Sequence, residues 1–86
     1  MAYRIELKRS AKKELDKAPK TISGRLQAAI DGLAAEPRPA GARKLRGRER
    51  TYRIRVADWR IVYELHDDRL VVLVTRVRHR KDVYRD

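Results

Sequence analysis

The stretch Thr51 to Tyr63, reading T-Y-R-I-R-V-A-D-W-R-I-V-Y, constrains this chain more than any other. Tyr52, Ile54 and Val56 alternate with Arg53 and Arg55. After Ala57-Asp58, Trp59, Ile61 and Tyr63 alternate with Arg60, Val62 and Glu64. A period of two around a short polar break predicts a β-hairpin, because successive strand side chains point to opposite faces. With Ala57-Asp58 as a two-residue loop, Val56 pairs with Trp59, Arg55 with Arg60 and Ile54 with Ile61. The large apolar residues then share one face, and Arg53, Arg55 and Arg60 share the other. Like charges directly opposite one another destabilise a sheet. The trio therefore has two readings: a grip for an anion, or a solvated face on which long side chains splay apart.

Charge bears on that choice. The 86 residues carry a formal net charge of +11, and its distribution is uneven. Residues 1–36 hold 8 Lys/Arg against 5 Asp/Glu, whereas residues 37–86 hold 15 against 7, and 13 of those 15 are arginine. A guanidinium grips phosphate oxygens with a planar fork, where lysine is a hydrated point charge. The arginine-loaded second half points to a phosphate-rich polymer or an acidic protein partner; a general arginine bias of the source proteome is the plainer reading. The length predicts one domain over residues 1–86, burying about 60–65% of its unfolded surface. With no cysteine there is no disulfide framework or thiolate metal site, and His66 and His79 lack ligand spacing, so no metal is expected. No apolar run reaches the length of a membrane span, and Met1 to Leu7 is too polar for a signal peptide. The expected location is the cytoplasm.

The rest of the chain supplies a sheet and its cover. Tyr3, Ile5 and Leu7 alternate with charged residues, predicting a first strand over 2–8. Ser10 can cap a helix over 11–17, with Ala11, Leu15 and Ala18 on one stripe and Pro19 ending it. A second helix, about 20–35, places Ile22, Leu26, Ala29, Ile30, Leu33 and Ala34 on its core stripe. Pro37, Pro39, Gly41 and Gly47 mark a loop anchored by Leu45. Its basic rim, Arg43, Lys44, Arg46, Arg48 and Arg50 among others, suits backbone contacts with nucleic acid, and a solvated loop looks the same. Asp67-Asp68 reads as a two-residue turn before a strand from Leu70 to Val77, pairing Leu65 with Leu70, Tyr63 with Val72 and Ile61 with Val74. Val62, Leu73 and Val71 make the second face partly apolar, which predicts central strands covered on both sides. The order is β-α-α-β-β-β with a short C-terminal tail: an α+β fold with two helices on one face of a largely antiparallel four-stranded sheet.

P-R-P-A-G-A-R-K-L-R-G, followed by Y-R-I-R-V-A-D-W-R-I-V-Y and V-R-H-R-K-D-V-Y-R, resembles the RelE/ParE superfamily of bacterial toxins, closer to its RelE-like branch. The likeness covers nearly the whole chain. It implies the small RelE-like fold and a toxin of a type II toxin–antitoxin system. The activity implied is that of a metal- and cofactor-independent endoribonuclease, an mRNA interferase that cuts messenger RNA on the ribosome beside its 16S ribosomal RNA. A cognate acidic antitoxin would hold it inactive in a heteromeric complex. Two alternatives stay open: a ParE-like inhibitor of DNA gyrase, and a catalytically weak member that mainly binds its antitoxin.

Cleavage by the RNA's own 2′-hydroxyl needs a base for that hydroxyl, charge stabilisation on the phosphorane and an acid for the departing 5′-oxygen. The resemblance places Arg53 and Arg55 at positions that are lysines in the best-known RelE-type sites. It makes Arg60 the phosphate-binding arginine, Arg80 the arginine of the transition state and leaving group, and Tyr84 the tyrosine that stacks on a nucleotide. Arginines are poor bases, so His79 is the expected proton-transfer group beside Arg55, Arg60 and Arg80, histidine being the side chain most often used for that task. Trp59 is read as core or as a partner-facing edge, and Glu64 as a base or an ion-pair partner.

Overall fold

The computed structural model describes residues 2–83. Along them run β1 (Arg4–Leu7), α1 (Arg9–Lys17), α2 (Lys20–Gly32), β2 (Arg43–Lys44), β3 (Thr51–Val56), β4 (Trp59–His66), β5 (Val71–His79) and a single helical turn, α3 (Arg80–Val83). The strands form one sheet in the order β1-β5-β4-β3-β2, with β1 parallel to β5 and the other pairs antiparallel. The sheet thus has five strands rather than four. The extra one, β2, is two residues long and pairs Arg43 with Arg53 and Lys44 with Tyr52. Two residues carry no periodicity, so the loop composition around them conceals the strand.

The hairpin forms in the expected register, Val56 opposite Trp59, Arg55 opposite Arg60 and Ile54 opposite Ile61. Ala57 takes a φ of 53°, the left-handed conformation that lets a two-residue loop follow the twist of its strands. The next turn differs from expectation. It spans four residues, Asp67 to Leu70, so that His66 pairs with Val71, Leu65 with Val72 and Tyr63 with Val74. Leu70 has a φ of 52° there. That two-residue slip preserves each side chain's face. A second departure does not. Tyr63 opposes Val74 but Val62 opposes Arg76, leaving Thr75 as the extra residue of a β-bulge. Its hydroxyl donates to the Val62 carbonyl at 3.2 Å. Beyond the bulge the alternation of β5 is inverted, so Val77 pairs with Ile61 in the core.

Both helices cover the face that carries Ile54, Ile61, Tyr63, Leu65, Val72, Val74 and Val77. Ala11, Leu15 and Ala18 from the first, and Ile22, Leu26, Ile30 and Leu33 from the second, are buried against it. α1 begins at Arg9 with Lys8 at the cap position and no side-chain cap bond, so Ser10 lies inside the first turn rather than capping it. Ala18 and Pro19 are extended, as the ring of a proline demands of the residue before it. α2 stops at Gly32 rather than at 35. The opposite face has no such cover among the described residues: Val62 and Leu73 remain half-exposed there, contrary to the expectation of a doubly covered sheet. Ala42, not Leu45, is the residue of the long loop packed on the core.

That loop is pinned at its start. The buried Tyr63 hydroxyl donates to the Pro37 carbonyl at 2.8 Å, and burial pushes its phenol up to about 12. Arg38 lies over the Tyr52 ring, donates to the Tyr52 hydroxyl at 3.2 Å and reaches Asp67 at 2.7 Å. The Tyr3 hydroxyl, and after it Arg38, hold the Asp67 carboxyl below the usual carboxylate range. No helix among the described residues is long and apolar enough to cross a membrane.

Candidate active site

The open face of the sheet is organised in rows of cross-strand neighbours. Arg55 stands opposite Arg60, and Arg60 opposite Arg78, giving three arginines across β3, β4 and β5. The adjoining row runs Arg43, Arg53, Val62, Arg76. The bulge at Thr75 produces this crowding, because it turns Arg76 and Arg78 onto the open face.

A carboxylate from the helical layer tempers the charge. β1 pairs with β5 only from Val71 to Val74, so the edge of β5 beyond that point is uncovered by a strand. Glu14 of α1 fills in: it accepts from the Val77 backbone N–H at 2.8 Å and from Arg78 Nε at 3.0 Å, and lies 3.8 Å from the Arg76 guanidinium. One acidic side chain thus satisfies an edge amide and offsets two of the arginines.

At the hairpin end the arginines enclose a cavity of about 80 Å³, lined by Arg55, Ala57, Asp58, Arg60 and Arg80. Three strand or helix ends meet there. The Arg80 backbone N–H donates to the Asp58 carbonyl at 2.7 Å, tying the start of α3 to the hairpin turn. The Arg80 guanidinium also lies 3.9 Å from the Asp58 carboxylate. The space would hold a few waters or one small oxyanion, and three arginines among its lining residues are suited to a phosphoryl group.

Of the residues singled out by sequence, Arg55, Arg60 and Arg80 come together in this cavity. Arg53 shares their face in the adjoining row but does not line the cavity. His79 is elsewhere. It pairs with Trp59 in register, on the helix-covered face, and its ring meets the indole edge-on at 5.5 Å between centroids. Regular alternation would set His79 on the same face as Arg60; the extra residue at Thr75 carries it to the other side. Tyr84 lies outside the described residues. The rim residues Arg43, Lys44, Arg46, Arg48 and Arg50 are all exposed. Arg48, with Lys8, Leu45, Val62 and Arg76, borders a larger cleft of about 600 Å³ on the same open face. Arg50 is engaged with His66 Nδ1 at 3.3 Å, and His66 Nε2 lies 3.1 Å from Glu64. Glu64 is therefore a hydrogen-bond partner of a histidine. Trp59 is half-buried against the core.

Three participants escaped the sequence reading: Glu14, Arg78 and Asp58. Glu14 lies on a helix whose charged face is otherwise unremarkable, and Arg78 would have needed the bulge to be foreseen. Asp58 had a visible signal, since it sits in the hairpin loop next to the arginine pair, but turn chemistry accounted for it. Among the described residues, no three His, Asp or Glu side chains are grouped to hold a metal ion.

Comparison with known proteins agrees with this architecture. The family model described as ParE toxin of type II toxin-antitoxin system, parDE, matches residues 5–84. Toxin RelG of Mycobacterium tuberculosis is 29% identical over 86 residues, covering 99% of each chain. The mRNA interferase toxin RelE of Escherichia coli is 34% identical over 88 residues, covering 98% of this chain and 92% of that protein. A chain of the archaeal RelE–RelB complex from Pyrococcus horikoshii superposes with a TM-score of 0.81 at 28% identity, over 93% of this chain and 97% of its own.

Proposed function

The chain belongs to the ParE-toxin family of type II toxin–antitoxin systems, in its RelE-like branch, and from that premise we propose that it is an mRNA-cleaving endoribonuclease. The observation that carries this reading is the convergence of Arg55, Arg60 and Arg80 on one phosphate-sized cavity. In the reaction, the 2′-hydroxyl of a nucleotide attacks the adjacent phosphorus, and negative charge accumulates on the non-bridging oxygens. Fixed guanidinium groups aimed at those oxygens stabilise the phosphorane more than the ground state, which is how such a site accelerates the step. Arg80, at the head of α3, is assigned the side of the departing 5′-oxygen. No metal is required in this scheme, because the arginines supply the positive charge. Loss of cleavage in excess EDTA, restored by a divalent cation and not by refolding, would reverse that point.

The open face extends the grip beyond one phosphate. Arg53, Arg43 and Arg76 continue the basic surface, and the exposed loop residues Arg46 and Arg48 flank it. Such a surface fits the sugar–phosphate backbone of a message and of the ribosome around it. It fits an acidic antitoxin as well, as the RelB bound to the archaeal RelE suggests by analogy. The site of action in this reading is the cytoplasm. The gyrase-directed alternative gives the arginine cavity no task.

Inducing the chain in growing cells and mapping transcript ends tests the proposal, beside a folded Arg60→Ala/Arg80→Ala variant. Cuts within translated messages that vanish in the variant are expected. Growth arrest with intact messages and broken DNA would transfer the assignment to gyrase.

A further inference from the structure

Resting on the ribonuclease reading, we propose that Asp58 is the general base of this site, the group that takes the proton from the attacking 2′-hydroxyl. The reaction leaves a vacancy that the arginines cannot fill, since a guanidinium stays protonated at every accessible pH. His79, the other candidate, sits on the far side of the sheet against Trp59. Among the described residues lining the arginine cavity, Arg55, Ala57, Asp58, Arg60 and Arg80, one side chain can accept a proton. It is the carboxylate of Asp58.

Its placement suits the task. Asp58 occupies the second position of the hairpin loop, between the strand bearing Arg55 and the strand bearing Arg60. The loop conformation is set by Ala57 at positive φ and by the bond from the Arg80 N–H to the Asp58 carbonyl, so the backbone of Asp58 is held while its side chain is exposed at the rim. Among the described residues, the charged groups facing it are Arg55 from β3, Arg60 from β4 and Arg80 from α3. A carboxylate oxygen can accept a proton directly, which a guanidinium cannot. The 3.9 Å separation from the Arg80 guanidinium is longer than a direct hydrogen bond, and the Asp58 side chain is exposed, so a ribose hydroxyl can approach it.

The step balances without a further reagent. Asp58 accepts the 2′-hydroxyl proton as the O2′–P bond forms and the P–O5′ bond breaks. The products are a 2′,3′-cyclic phosphate and a 5′-hydroxyl, whose oxygen takes a proton from water beside Arg80, and Asp58 returns its own proton to solvent. The alternative is that Asp58 merely shields the arginines when no phosphate is bound. In that case removing its charge would speed cleavage or leave it unchanged.

Single-turnover cleavage of messenger RNA on programmed ribosomes, and of naked RNA, separates these outcomes. Wild type is compared with Asp58→Asn, Asp58→Glu and Arg80→Ala, each checked for folding by circular dichroism. Asparagine is well accommodated in turns, so the fold should persist. General-base catalysis is worth about 10²–10⁴-fold. Asp58→Asn should therefore lose at least about a hundredfold in kcat with KM within about twofold, and Asp58→Glu should recover part of the loss. A substrate with sulfur in place of the bridging 5′-oxygen supplies a leaving group that needs no proton. It should relieve the Arg80→Ala defect and leave the Asp58→Asn defect intact. Cleavage by Asp58→Asn within about threefold of wild type, or faster than it, overturns the assignment and leaves the ribonuclease reading standing. Failure of wild type to cut either substrate removes both.

Discussion

Replacing Arg55 by glutamine should make the protein more stable and less active, and the structure sets the size of the first effect. Arg55 stands directly opposite Arg60 in the β3–β4 ladder. Arg60 also faces Arg78, but that charge is offset by Glu14 at 3.0 Å. The Arg55–Arg60 pair sets two like charges directly opposite one another across the ladder. Like-charged cross-strand pairs cost about 0.2–1 kcal/mol, and Coulomb's law gives a similar figure, about 0.7 kcal/mol for two charges some 6 Å apart in water. Taking about 0.5 kcal/mol, and about 2.1 cal/mol/K of unfolding entropy per residue, the gain is about 3 °C in Tm. Screening supplies the control. At about 10 mM salt the charges interact across the pair, whereas at about 1 M the Debye length of about 3 Å removes most of the effect. Thermal unfolding followed by circular dichroism at both salt concentrations measures it. Cleavage should fall by about a hundredfold in the same variant, since one of the groups holding the phosphorane is lost. A variant that is less stable than wild type at low salt, or whose gain is equally large at high salt, would refute the idea that this face carries electrostatic strain.

Glu14→Gln should lower stability by about 1 kcal/mol in urea unfolding at low salt, because Arg76 and Arg78 lose a charged partner while the Val77 amide keeps an acceptor; an unchanged midpoint would contradict that role. Asp67 is held below its ordinary pKa by the Tyr3 hydroxyl and by Arg38, so its contribution is complete above the unfolded value of about 4 and is lost as pH falls through the lower folded value. The stability difference between wild type and Asp67→Asn should accordingly shrink below about pH 4, and a difference constant down to about pH 2 would count against it. Tyr63 has a raised pKa of about 12, against about 10 in an unfolded chain, so its contribution is full below about pH 10 and disappears as pH rises toward 12. Tyr63→Phe should lose about 1 kcal/mol at neutral pH with the bond to Pro37, and should show a shallower decline across the alkaline range in guanidinium unfolding.

Much of the fold was legible because its signals are local. The stripes Ala11/Leu15 and Ile22/Leu26/Ile30 recur at helical spacing and are buried where that spacing puts them. The turn that starts at Asp67 is two residues longer than alternation predicts, with no consequence for the faces, since two residues are one full period of a strand. β2 was missed because a two-residue strand exists only by virtue of its partner, Arg53 and Tyr52. The cavity was half legible: Arg55 and Arg60 are neighbours through the hairpin, but Arg80 reaches them only because its backbone is tied to Asp58.

Alternation and loop length alone therefore determined the hairpin, its register and the pairing of Arg55 with Arg60. Tertiary structure alone decided which residues of the last strand join them. A strand repeats every two residues, so a single inserted residue at Thr75 exchanges the faces of everything that follows, bringing Arg76 and Arg78 to the open face and sending His79 to Trp59. The contacts at and just beyond that bulge come from elsewhere in the chain, the Val62 carbonyl and the Glu14 carboxylate of the first helix. A pattern read along one strand contains neither.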